Sequence, residues 1–143
     1  MIDRGLVAAC LLCLAHAIYY LLLGITSPVL EGNPFRETQT ALSAYWLWRG
    51  GPWFAYETPV LGYPWSVPLE FPIYQGLVAI LRGFGVPIHI GGRLLSFGFY
   101  VACLWPLSRL FRVIDLPRTA FLTMSALFLS APTYVFWGRT VLM

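Results

Sequence analysis

Pro72-Ile73-Tyr74-Gln75-Gly76-Leu77-Val78-Ala79-Ile80-Leu81-Arg82, PIYQGLVAILR, decides how this chain is laid out. The pattern is helical and Gly83 closes it. Eleven residues at about 1.5 Å each reach only about 16 Å, roughly half of a hydrocarbon core about 30 Å thick. The stretch therefore does not span. Gln75, Ala79 and Arg82 share one of its faces, which suits an interfacial or re-entrant helix.

On either side lie longer apolar runs. Leu6 to Ile25 is apolar or neutral for 20 residues apart from His16, the length a crossing helix needs. Arg4 ahead of it also fits a secretory signal. A signal's apolar core is shorter, about 7–15 residues, and no small-residue cleavage site follows, so a retained span is expected. His16 is read as neutral and hydrogen-bonded to a neighbouring helix, with a functional role as the sharper alternative. Residues 94–111 form a second expected span, with Arg109 snorkelling at its end. Residues 120–137 form a third, kinked near Pro132.

The arginines orient these runs. Arg109, Arg112 and Arg118 crowd one short connector, which the positive-inside rule places in the cytoplasm. With PIYQGLVAILR not spanning, the N-terminus is then inside and residues 27–92 form one large external loop. Had it spanned, the Arg-rich connector would face outward. The expected fold is all-α, a multi-pass integral membrane protein with three spans and two short interfacial helices.

Composition agrees. Of 143 residues, 59% are hydrophobic and 10% charged, against about 45–50% and 25% in soluble proteins; the mean hydropathy is +0.73. The net charge of +3 comes from nine Arg and no Lys against six acids, too small an excess for a nucleic-acid partner. Cys10-Leu-Leu-Cys13 has redox spacing, but within an apolar helix these cysteines read as small hydrophobes. No metal-ligand set stands out, and whether a divalent metal is required stays open.

Within the external loop, Asn33 reads as an N-cap, Pro34 as the first helical residue and Arg49-Gly50-Gly51-Pro52 as the stop, giving a helix over residues 34–49. Arg36, Gln39, Thr40 and Ser43 form one stripe. Ala41, Ala44, Tyr45 and Trp48 form another, expected to meet the headgroups. Five prolines between Gly51 and Pro72 predict an irregular segment. Eleven of the 24 aromatics fall between Phe35 and Tyr74, as an interfacial belt would place them. The loop also carries Glu31, Glu37, Glu57 and Glu70 with Arg36, Arg49, Arg82 and Arg93. A carboxylate can serve as general base and arginine forks bind phosphate, so a phosphate-bearing lipid is a candidate ligand. The bland alternatives are that Glu37 and Glu70 favour helix starts through the dipole, and that Arg93 and Arg139 anchor span ends.

FRETQTALSAYW, LEFPIYQGLVAILRGFGV, GGRLLSFGFY and LSAPTYVFWGRTVLM resemble, in order and spacing, the amino-terminal part of GT-C membrane glycosyltransferases. That group includes protein O-mannosyltransferases and bacterial aminoarabinose transferases. The resemblance runs from about Pro34 to the last residue. It implies transfer of a sugar from a polyprenyl-phosphate donor on the external face, at a bacterial cytoplasmic membrane, with sugar and acceptor unspecified. In register, Arg36 and Glu37 fall on the family's Asp-Glu pair. In a variant that reads W-R-Q-A-D-T-A, Arg36 matches Arg, Glu37 replaces Gln and Gln39 replaces Asp. An acid is thus kept on the helix but moved. Glu37 and Glu70 are the implied catalytic acids, and Arg36, Gln39, Arg93 and Arg139 the implied substrate-binding residues. Such enzymes continue past the position of Met143 with further spans, so the 143 residues are expected to be an amino-terminal module, inactive alone. The competing reading is a non-enzymatic membrane protein, such as a lipid-binding or transporter subunit.

Overall fold

A computed structural model describes residues 2–27, 33–53 and 71–141. The described residues are helical with no strand: α1 (Ile2–Gly24), α2 (Pro34–Trp48), α3 (Ile73–Gly83), α4 (Ile88–Ala102), α5 (Leu104–Val113), α6 (Arg118–Ser130) and α7 (Pro132–Arg139). Asp3–Gly24 and Ile88–Val113, 22 and 26 residues, are long and apolar enough to cross a membrane. The bent pair α6–α7 makes a third if it is one span.

Three helices stop in the same way. At the end of α2, Gly50 N–H donates to Leu47 O at 3.1 Å and Gly51 N–H to Trp46 O at 3.0 Å. After α3, Gly85 N–H reaches Arg82 O and Val86 N–H reaches Leu81 O. After α5, Asp115 and Leu116 repeat the pair on Arg112 O and Phe111 O. These are Schellman ends, which need a left-handed residue. Gly50, Gly85 and Asp115 supply it at φ +95°, +90° and +53°. Two residues later comes Pro52, Pro87 or Pro117, which prevents the helix from resuming.

Two breaks inside apolar runs also come from proline. Pro106 removes the N–H that would bond Ala102 O, and the helix is interrupted at Cys103, between α4 and α5. Pro132 does the same to Phe128 O, and α6 and α7 diverge by 62°. Tyr100 repairs the second break: its hydroxyl donates to Phe128 O at 3.1 Å. Its ring lies 4.9 Å from that of Phe128 and against Gly138, where a Cβ would come within 2.9 Å of Tyr100 Cγ.

The apolar helices pack in register. Cys10 Sγ bonds Leu122 O, Ala17 clusters with Leu129, and the Arg139 guanidinium rests on Gly24. Numbers rise together, so α1 runs parallel to α6–α7. Small residues at positions 10, 17 and 24, seven apart, let the helices approach closely. The α4–α5 run is antiparallel to both: Arg93 meets Arg139, Tyr100 meets Phe128 and Phe111 meets Phe121. Most of α1 is otherwise uncovered, with Leu12 71% exposed.

α3 is docked at the Arg93 end of α4. Tyr74 OH bonds Gly92 O at 2.8 Å and Ser96 Oγ at 2.9 Å. It buries Gln75, Gly76 and Ala79 and exposes Ile73, Ile80 and, just past its end, Phe84. Apolar side out suits a lipid interface and no aqueous one. α2 packs on α3 where Leu47 meets Ala79 and Arg82 lies 4.8 Å over Trp48.

Several expectations shift. The helix expected over 94–111 starts at Ile88, because Gly91 and Gly92 lie inside α4, and it is interrupted at Cys103. On α2 the two stripes do not divide into polar and packed sides: Thr40 and Ser43 are buried together with Ala44 and Leu47. The cysteines are free thiols. His16 shows an edge-on contact with Tyr20 of its own helix, centroids 4.8 Å apart.

Candidate functional site

The first turn of α2 is tied in both directions. Asn33 Oδ1 accepts from Arg36 N–H at 3.4 Å, and Asn33 N–H donates to Glu37 Oε1 at 3.3 Å. This is a capping box lengthened by one residue. Thr38 Oγ1 turns back to Pro34 O and Ser43 Oγ to Gln39 O. Glu37 is fully buried, Gln39 half-buried and Arg36 exposed. A buried carboxylate is costly unless hydrogen-bonded, and the Asn33 amide supplies one bond.

Arg93 is likewise fully buried. It donates through Nη1 to Arg139 O at 3.2 Å and through Nη2 to Ser27 O at 3.1 Å. The Arg139 carbonyl lies at the C-terminal end of α7, where the dipole favours a cation, and that of Ser27 lies in the turn that follows α1. Arg93 therefore clamps the end of α7 to the turn after α1. Arg139 sends its own guanidinium elsewhere, onto Gly24 and 5.4 Å over the Phe136 ring.

Five residues lie between Ser27 and Asn33, a reach of at most about 20 Å. The cap that holds Glu37 therefore lies no farther than that from Ser27, which supplies one of the two carbonyls that Arg93 bonds. Of the residues singled out from sequence, Arg93 and Arg139 are brought together through the backbone carbonyl of the second. Arg36, Glu37 and Gln39 share the first two turns of α2. Glu70, like Glu31 and Glu57, lies outside the described residues.

Sequence reasoning missed Gln75 as an interior polar group. It is 5% exposed and its Oε1 has no hydrogen-bond partner among the described residues. It missed Tyr100 and the pair Tyr74–Ser96 as well, since tyrosines in an apolar run look like any other belt aromatics. Gly92, the middle of Gly91-Gly92-Arg93, was the available signal for a close approach at that end of α4. Among the described residues no three His, Cys, Asp or Glu gather as a metal site would require. No protein-family model, curated protein or solved structure matches the chain.

Proposed function

We propose that this chain is the amino-terminal module of a membrane glycosyltransferase that takes a sugar from a polyprenyl-phosphate donor to an acceptor on the external face. It crosses the membrane three times, with the connector after α5 inside and α2 and α3 at the outer surface. The observation that carries the reading is Glu37: a fully buried carboxylate, held by a cap, on the first turn of α2. Arg36 and Gln39 flank it on the less buried side of the helix.

In the proposed reaction, Glu37 takes the proton of the acceptor hydroxyl as that oxygen attacks the anomeric carbon. The bond to phosphate oxygen breaks, and the donor leaves as polyprenyl phosphate. Arginine neutralises the phosphate charge, and Arg139 is the residue we assign to it. Arg93, with two N–H groups on backbone carbonyls, holds the helix ends that frame the site.

The test is a transfer assay on the complete enzyme with a labelled polyprenyl-phosphate sugar. Glu37→Gln keeps a side chain that can accept the Asn33 N–H, so the cap survives. Loss of general-base catalysis should slow transfer about 10²–10⁴-fold with donor binding retained. Near-normal turnover in an inserted, folded Glu37→Gln protein would remove this acid and pass the role to Glu70. A non-enzymatic lipid-binding subunit is the second reading. The burial of Arg93 on two carbonyls fits it equally well, because a scaffold needs that clamp as much as an enzyme does.

A further inference from the structure

The packing register gathers four arginines at one end of the bundle. Cys10 lies level with Leu122, and Phe111 with Phe121. At about 1.5 Å per residue, Arg4 on α1 and Arg118 on the parallel α6 then stand within about 3 Å of one height. Arg109 and Arg112, on α5, stand a little farther into the bundle, and the four span about 10 Å along its axis. Arginine stems are long enough to bring all four heads into one headgroup layer. Only the packing brings Arg4 into this group. All four are exposed. Arg109 lies 5.4 Å over the Trp105 ring, and Arg112 donates from Nε to Ser108 O at 3.3 Å and from Nη2 to Ser108 Oγ at 3.4 Å. Asp3 and Asp115 stand at the same end. Among the described residues, four arginines against two aspartates leave a side-chain charge of +2 there.

From this we infer that the Arg4–Arg109–Arg112–Arg118 end of the bundle binds anionic phospholipid of the inner leaflet. Clusters of four or more basic residues at the cytoplasmic end of a span select such lipids, at about fivefold in affinity per residue. Arginine adds a fork that matches two phosphate oxygens at once. The turn between Arg112 and Arg118 fits the same partner. It carries Val113, Ile114 and Leu116, all exposed, Val113 to 82%. In water these side chains would be stranded; sunk below the phosphates among the first acyl carbons, they hold the arginines at headgroup height. Trp105, also exposed, lies at that level beside Arg109, where an interfacial indole belongs. The surface needs the connector after α5 to lie at the inner face, as proposed above. It needs neither Glu37 nor sugar transfer.

The full chain is reconstituted in nanodiscs of phosphatidylcholine and phosphatidylglycerol in equal parts, and retained lipid is counted by native mass spectrometry. Phosphatidylglycerol should be retained in clear preference. Arg109→Gln, Arg112→Gln and Arg118→Gln should each lower that preference about fivefold, and the corresponding Lys variants should keep most of it. Asp115→Asn removes a negative charge, and Asn accepts the left-handed φ of +53° at that position. It should raise the preference about fivefold, a gain that no damage to the fold can imitate. Equal retention of the two lipids, an unchanged preference when all three arginines become Gln, or no gain in Asp115→Asn would each overturn the surface. If the complete enzyme transfers sugar while phosphatidylglycerol is not preferred, this surface falls and the glycosyltransferase reading stands. If the preference holds while Glu37→Gln turns over normally, the reverse is true.

Discussion

Tyr100 ties α4 to both halves of the bent pair α6–α7. Its hydroxyl meets the one carbonyl that Pro132 deprives of its helical donor, and its ring fills the space left by Gly138. Tyr100→Phe keeps the ring and leaves Phe128 O without that donor in an apolar setting, at a cost of about 1–3 kcal/mol. Unfolding of the reconstituted protein in mixed micelles should show that loss, and an unchanged midpoint would deny the hydroxyl its role. Nothing local could have announced it, because Tyr100 and Phe128 are 28 residues apart. Glu37 was half legible. A first-turn acid after Asn33-Pro34 can be read from spacing alone, whereas its complete burial comes from the tertiary packing around α2.

Helix ends were more legible than helix neighbours. Asn33-Pro34 and the Gly-Gly-Pro and Gly-Val-Pro stops act over four or five residues, so α2 and α3 lie within a residue of where their sequences put them. The start of α4 was misplaced because Gly91-Gly92 reads as a breaker. Both glycines are helical, and at Gly92 the small residue serves close packing, since a Cβ there would come 3.1 Å from Val141 and 3.3 Å from Tyr74. Two glycines of α3 and its cap separate conformation from space. Gly83 and Gly85 both have open surroundings, but only Gly85 is left-handed. Gly85→Ala should cost about 1–2 kcal/mol. Gly83→Ala should gain about 0.4–1 kcal/mol, chiefly by restricting the unfolded chain. Equal effects in the same unfolding assay would mean that the Schellman end is not what stops α3.

Across the whole molecule, charge and length argue for the same topology, and the packing register is compatible with it: α1 and α6–α7 run one way and α4–α5 the other. In a background without native cysteines, Glu57→Cys should react with an impermeant maleimide from outside, and Asp115→Cys only after the inner face is opened. Outside labelling of position 115 would make PIYQGLVAILR a true span and dissolve the external loop. The membrane class was legible in composition. The partners of each helix were not, since apolar faces are interchangeable until size and register sort them.

The Cys10–Leu122 contact joins residues 112 positions apart. At about 5–20 residues per second of synthesis, α1 waits on the order of ten seconds in the bilayer before α6 exists. During that interval the face later covered by α6 must tolerate lipid. Cysteine, alanine and glycine at 10, 17 and 24 satisfy both surroundings: small enough for the eventual helix, and without a charge to strand in the meantime. The nascent first helix can therefore idle without a chaperoning neighbour, and its pairing waits until α6 has been made.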